Sequence, residues 1–264
     1  MGVQALYALQ NGFMGFERSG LFYGELSGER VQIPVTCYLI RTSDATILFD
    51  TGLSPRAIPG LRRTDPLARF TEEDLLVHRL DSLGLEPASV DLVVLSHLHY
   101  DHAGGAALFQ DSELIVQQDE YSYAHYPASF FASFYYRKNY DLPGSRWRLL
   151  DGDAELVPGI TALRSDGHTP GHQSLLVELP QTGPVILAGN HTGLLDSLLV
   201  FASFRRPVRF LASEHVFSWP VIGIHSVLLN DGQVLQFSYN TGGGSGSECY
   251  VFDPKTFTFM NYPI

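Results

Sequence analysis

The stretch Ser96-His97-Leu98-His99-Tyr100-Asp101-His102-Ala103-Gly104-Gly105 holds three histidines and an aspartate within six residues, directly after the apolar run Leu92-Val93-Val94-Leu95. In an extended segment side chains alternate, so His97 and His99 point the same way and can grip one metal ion through imidazole nitrogen. Asp101 and His102, in the turn that follows, can face a second ion beside the first. Two ions held roughly 3.5–4 Å apart lower the pKa of a shared water, so the chemistry of such a site is hydrolysis. Zinc suits a histidine-rich set with a carboxylate, while iron, manganese and cobalt satisfy the same ligands. Tyr100, inside the motif, is the aromatic expected nearest a substrate.

The elements that must position these residues can be read around them. Ala5 to Leu9, Val31 to Ile40 and Thr46 to Phe49 read as the first strands of a sheet, and Leu92 to Leu95 as a buried strand ending at the motif. Residues 53–70, rich in Pro, Arg and Gly, read as a surface loop. Thr71-Glu72-Glu73-Asp74 is expected to open a helix carrying Leu75, Leu76, Leu80 and Leu83, with Gly84 ending it. Gly104-Gly105 allow a sharp turn, and Ala106-Ala107-Leu108-Phe109 suits the start of another helix. Leu114 to Gln117, Thr161 to Arg164, Val177 with Leu179, and Val185 to Ala188 are further strand candidates. Between them lies an aromatic stretch from Tyr121 to Tyr140. It reads either as packing surface or as a wall for an apolar chain.

A chain of 264 residues gives one large domain or a domain with a small appendage. The formal net charge of −11 argues against a nucleic-acid partner, because no excess of Lys and Arg is available to neutralise phosphates. Cys37 and Cys249 form no disulfide framework, and Cys37 sits in an apolar run as an inert core residue. The sequence shows no signal-peptide pattern and no run of about 20 apolar residues, so the expectation is a cytoplasmic protein without a membrane span.

With Ile33-Pro34-Val35-Thr36-Cys37-Tyr38-Leu39-Ile40, Ile47-Leu48-Phe49-Asp50-Thr51-Gly52, the Ser96–Gly105 stretch and Gly167-His168-Thr169-Pro170-Gly171-His172-Gln173-Ser174, the chain resembles the metallo-β-lactamase superfamily. Within it the N-acyl-homoserine lactone lactonases are most similar, over residues 1–215. The resemblance implies an α/β fold, the four-layer αβ/βα sandwich. It also implies a metal-dependent hydrolase that opens the lactone ring by a metal-bound hydroxide, an activity that quenches quorum signalling. Asp101, a ligand with a free oxygen, would pass a proton to the leaving alkoxide. His168 would complete a His97, His99, His168 set, Asp50 would orient a metal-binding histidine, and His172 would brace its loop by hydrogen bonding. The partner is a small lactone or ester, and a homodimer is compatible with the family. Rival readings are a hydrolase of the same scaffold acting on a thioester, phosphoester or organophosphate, or a catalytically impaired metal-binding protein.

The last of these arises because the pattern breaks. Where the family places an aspartate that bridges the two metals, this chain has Asn190, and an amide bridges two cations poorly. The second site is therefore expected to be weak. A tyrosine that lactonases carry shortly afterwards is missing too, and neither His191 nor Asp196 stands at the matching position. The last ligand of the second ion is expected at His215, with His225 as a rival. Beyond residue 220 the character changes. His225 to Phe237 reads as a hairpin on Asn230-Asp231-Gly232, and Tyr250 to Phe259 as a strand pair around Asp253-Pro254-Lys255-Thr256. Together they resemble one kelch-type propeller repeat, as in galactose-oxidase-like proteins. The expected organisation is a lactonase-like domain over 1–220 and a β-hairpin tail over 221–264, with Thr241 to Ser247 as a flexible connector.

Overall fold

A computed structural model describes residues 2–17, 28–180 and 183–189 with their side chains, and four further strands between residues 225 and 263 as backbone. The chain divides into two compact units, Met1–Val200 and Phe201–Ile264.

The first unit is built on a six-stranded sheet, β1 (Val3–Glu17), β2 (Arg30–Thr42), β3 (Thr46–Phe49), β4 (Leu92–Val94), β5 (Glu113–Gln117) and β6 (Arg146–Leu150), adjacent in that order. Strands β1 to β3 form an antiparallel meander, and β3 to β6 run parallel. Parallel strands need both faces covered, and the sequence supplies two apolar faces by simple alternation. Leu39, Leu48, Val93, Leu114 and Val116 point to one side, where they pack with Leu76, Leu80 and Ala124 from helices. Ile40, Ile47, Phe49, Val94 and Ile115 point to the other. There they meet Ile160, Ala162, Leu175, Val177, Val185 and Leu187 of a second, antiparallel sheet. That sheet comprises β7 (Ala154–Val157), β8 (Ile160–Arg164), β9 (Gln173–Leu179) and β10 (Gly183–Ala188), in the order β10-β9-β8-β7. Helices, sheet and sheet make three of the four expected layers among the described residues.

The expected strands are found, but the helices are shorter and differently placed. The helix expected from Thr71 begins only at Leu76, as α2 (Leu76–Asp81), because Asp74 turns back to accept from the Thr71 amide at 2.7 Å and from its hydroxyl at 3.0 Å. The chain closes a turn there instead of starting a helix. Residues 53–70, expected as loop, contain α1 (Ile58–Thr64), whose Pro59 is tolerated in the first turn and whose Ile58 is buried with Met14, Val35 and Phe70. Ala106–Leu108 forms a single 3₁₀ turn rather than a helix, since Phe109 leaves it to enter the core. The third helix, α3 (Gln118–His125), follows β5 without a loop. No helix among the described residues is long and apolar enough to cross a membrane.

In the second unit the described strands are β11 (His225–Leu228), β12 (Val234–Tyr239), β13 (Ser247–Asp253) and β14 (Thr258–Pro263), an antiparallel meander in chain order. Both expected hairpins are present as strand pairs, Leu228 facing Val234 and Asp253 facing Thr258.

Gly104 shows why the turn after the histidines is glycine. Its amide donates to the Gly52 carbonyl at 2.8 Å, and a Cβ there would collide with the Ser54 amide and sit 2.6 Å from the Gly52 oxygen. Close approach of two backbones, rather than a left-handed conformation, requires the missing side chain. Gly104→Ala is expected to cost about 3 kcal/mol, read as a lowered urea midpoint with an unchanged slope.

Candidate metal centre

Strands β3 and β4 run parallel with Phe49 beside Val94, so the chain leaves both at the same edge. Ligands in open parallel sheets collect at such carboxyl ends. Asp50 is the first residue past β3, and its amide donates to the Val94 carbonyl at 2.9 Å. It adopts φ of 62°, a left-handed conformation that a short polar side chain tolerates better than most. The turn aims its carboxylate at the start of the histidine loop. Oδ1 accepts from the Ser96 amide at 2.7 Å, and Oδ2 accepts from the Ser96 hydroxyl at 2.8 Å and from His102 Nδ1 at 2.7 Å.

These bonds set the imidazole tautomers. A carboxylate only accepts, so His102 carries its proton on Nδ1 and turns the Nε2 lone pair outward. Ser96 spends its proton on Asp50, so its oxygen accepts from His97 Nδ1 at 2.9 Å. That leaves the lone pair of His97 on Nε2 as well. Burial pushes the His97 pKa well below its ordinary value, reinforced by the neighbouring imidazoles, which keeps the ring neutral. Burial works against a charged His102 too, but Asp101 and Asp50 outweigh it and its pKa rises.

The second group of residues arrives on the turn between β8 and β9. Gln173 fastens this turn to the first sheet: its amide donates to the Ser96 carbonyl at 2.8 Å and its side chain to the Leu95 carbonyl at 2.8 Å, while Gln117 Nε2 donates to its Oε1 at 2.9 Å. His168 is thereby brought to His97 and His99. Nitrogens of the three rings all lie within 4.8 Å of one another, and His168 Nε2 is 3.1 Å from His99 Nδ1. Two nitrogens bound to zinc at 2.0–2.1 Å in a tetrahedron stand about 3.3 Å apart. The spacing, burial and nitrogen chemistry of this trio fit a metal ion.

Asp101 and His102 stand beside the trio, with Asp101 Oδ2 3.6 Å from His102 Nε2 and the His102 ring 4.2 Å from that of His97. His172 bonds through Nδ1 to the Ser165 hydroxyl at 2.9 Å, and Ser165 in turn to Ser174 at 2.8 Å. At the end of β10, Gly189 reaches the same place, since a Cβ there would strike the Ser96 hydroxyl. Asn190 and His215 lie outside the described residues. His225 opens β11 in the second unit, and its side chain is likewise outside the description.

A pocket of about 240 Å³ opens beside His99 and His168, walled by Tyr123, Phe131, Tyr135 and Pro170. The aromatic stretch therefore divides. Tyr135 and Tyr140 are buried at 7% and 1% exposure, whereas Tyr126 and Phe130 stand out at 85% and 81%. Tyr100 is half-buried and stacks on Tyr136, their rings 5.0 Å apart, so it flanks this pocket's aromatic segment rather than lining the pocket itself. Burial raises its phenol pKa, with Asp101 adding to the effect.

Sequence reasoning gave no role to Gln173, Ser96 or Glu120, all fully buried and polar. Each was visible as a polar residue next to a strand end or early in a helix, but its partners are distant in sequence. Glu120 is the clearest case. Burial pushes its carboxyl up, against the Thr169 hydroxyl, the Leu98 amide, the Tyr135 hydroxyl and the Gly171 amide, which favour the charged form.

The metallo-β-lactamase superfamily model matches residues 30–199. A second, acyltransferase family model matches only residues 175–230 and overlaps the first. An N-acyl homoserine lactonase from a Bacillus species is 39% identical over 260 residues, covering 96% of this chain and 98% of the relative. That likeness runs past the residue 215 at which the recognisable motifs stop. The N-acyl homoserine lactonase AiiA of Bacillus thuringiensis subsp. kurstaki is 37% identical over 194 residues, 71% of this chain and 75% of its own. Among solved structures, an N-acyl homoserine lactone hydrolase with the product N-hexanoyl-L-homoserine bound at its catalytic metal centre superposes with a TM-score of 0.64, at 36% identity over 70% of this chain and 75% of that one. A variant of B. thuringiensis AiiA with N-decanoyl-L-homoserine at its active site gives 0.69, at 31% identity over 84% and 98%.

Asp50→Asn keeps a side chain compatible with the left-handed backbone and removes the charge behind His102. Zinc affinity, read by competition with a chromophoric chelator, is expected to fall about 10- to 100-fold.

Proposed function

Because the chain belongs to the metallo-β-lactamase superfamily and, within it, to the N-acyl homoserine lactonases, we propose that it is a metal-dependent hydrolase that opens the lactone ring of N-acyl homoserine lactones. The observation that carries this is the trio His97, His99 and His168, its nitrogens within 4.8 Å of one another, with His99 and His168 lining an aromatic-walled pocket. His97, His99 and His168 would hold one divalent ion, and Asp101 and His102, with His215 and Asn190, a second. Zinc fits the nitrogen-rich set best. Bound there, the metal supplies Lewis-acid polarisation of the ester carbonyl and acidifies water.

The protein's own groups do the rest. Asp50, through Ser96 and His102, fixes which imidazole nitrogens carry protons, so the ligand lone pairs need no rearrangement. Asp101, buried beside His102, takes the proton released on attack and returns it to the alkoxide as the ring opens. Tyr123, Phe131 and Tyr135 receive the acyl chain and keep water from that side of the ester.

Proton release during hydrolysis of N-decanoyl homoserine lactone, followed with a pH indicator on zinc-loaded protein, tests the reading. Saturable turnover that drops about 10²- to 10⁴-fold in kcat for Asp101→Asn at matched metal content is expected; a loaded protein without lactone turnover would overturn it.

A second reading, a weakened dinuclear centre, is favoured by one observation, the amide of Asn190 where the family has a bridging carboxylate. Asn190→Asp is expected to raise bound metal toward two ions per chain, measured by elemental analysis after desalting, with a rise in kcat.

A further inference from the structure

Glu120 sits in the first turn of α3, fully buried, against both loops that carry the three imidazoles. Its Oε1 accepts from the Leu98 amide at 2.9 Å, and Leu98 is the residue between His97 and His99. The same oxygen accepts from the Tyr135 hydroxyl at 3.2 Å, and Tyr135 packs edge-on against His99 with rings 4.6 Å apart. On the other side lies the His168 loop. A Cβ on Gly171 would sit 2.7 Å from Glu120 Cβ and 2.8 Å from its Cα, so the loop lies directly on the start of α3. The Thr169 hydroxyl and Gly171 amide face the carboxylate, although Oε2 and Thr169 Oγ1 stop short of a hydrogen bond of ordinary geometry.

All four groups around this carboxylate are donors, and they come from three separate segments of the chain. We propose that Glu120 is a positioning residue of the metal centre: its carboxylate ties the His97–His99 loop to the Tyr135 wall, and the start of its helix is the surface on which the His168 loop packs. The inference rests on reading the histidine trio as a metal site. It adds a determinant of metal affinity that touches neither metal nor substrate. A carboxylate serves here because it only accepts; a glutamine of the same shape turns an NH2 group toward some of these donors whichever way it is rotated.

The test uses the full-length protein stripped of metal, with zinc as the probe. Zinc affinity is read by chelator competition, and the melting temperature of the metal-free protein is read beside it. The expected order is wild type, then Glu120→Gln about 10-fold weaker, then Glu120→Ala about 100-fold weaker. Glu120→Gln should keep most of its metal-free melting temperature and decides the matter alone if the alanine variant does not fold. A purely structural role predicts a lower metal-free melting temperature with wild-type zinc affinity in the folded variant, and that result would overturn the proposal. Wild-type protein without zinc affinity would instead overturn the metal centre, and this inference with it.

Discussion

The carboxylate of Asp50 is where the architecture and the chemistry meet. The parallel pairing of β3 with β4 puts it beside Ser96, and its three short hydrogen bonds to Ser96 and His102 convert that pairing into fixed imidazole tautomers. Buried acceptors of this kind are costly unless satisfied, so the bonds are both a structural requirement and the means of orienting ligands. The left-handed backbone at Asp50 belongs to the same arrangement, since it turns the side chain across the edge of the sheet.

A second constraint comes from packing two sheets face to face. The apolar interior between them gives no directional information about which loop meets which. Gln173 supplies it, with its backbone on Ser96 and its side chain on Leu95 and Gln117. Glu120 does the corresponding work on the helix side of the same loops. The histidine trio is thus bracketed by two buried polar residues, each bonded to the histidine loop and to a different neighbour.

What could be read from the sequence was whatever is local. The alternation of Ile47-Leu48-Phe49 and Leu114-Ile115-Val116 between two apolar faces announced buried strands, and the spacing of His97, His99, Asp101 and His102 announced a metal site before any contact was known. The helices were misjudged where tertiary partners captured the signal. Asp74, expected within a helical first turn, is drawn to Thr71 and Arg79, and Arg79 in turn reaches the Gln10 carbonyl at 2.8 Å. Ala106 to Phe109 has good helix formers, but burial of Phe109 ends the turn early. Gln173, though part of a quoted motif, and Glu120 received no role because a polar residue in a run of polar residues looks alike whether it faces water or holds a site together. Asn190 and His215, proposed for a second ion, lie outside the described residues, so their reading rests on the sequence alone.

The separation of the three histidines along the chain carries a consequence for how the protein folds. His99 and His168 stand 69 positions apart, and their meeting requires the loops from both sheets to be docked. Such a long-range closure comes late on the path from the unfolded chain, because its entropy must be spent before its contacts form. A metal held by the assembled trio would therefore stabilise the native state more than the transition state, and would act mainly as a brake on unfolding rather than as a template for folding.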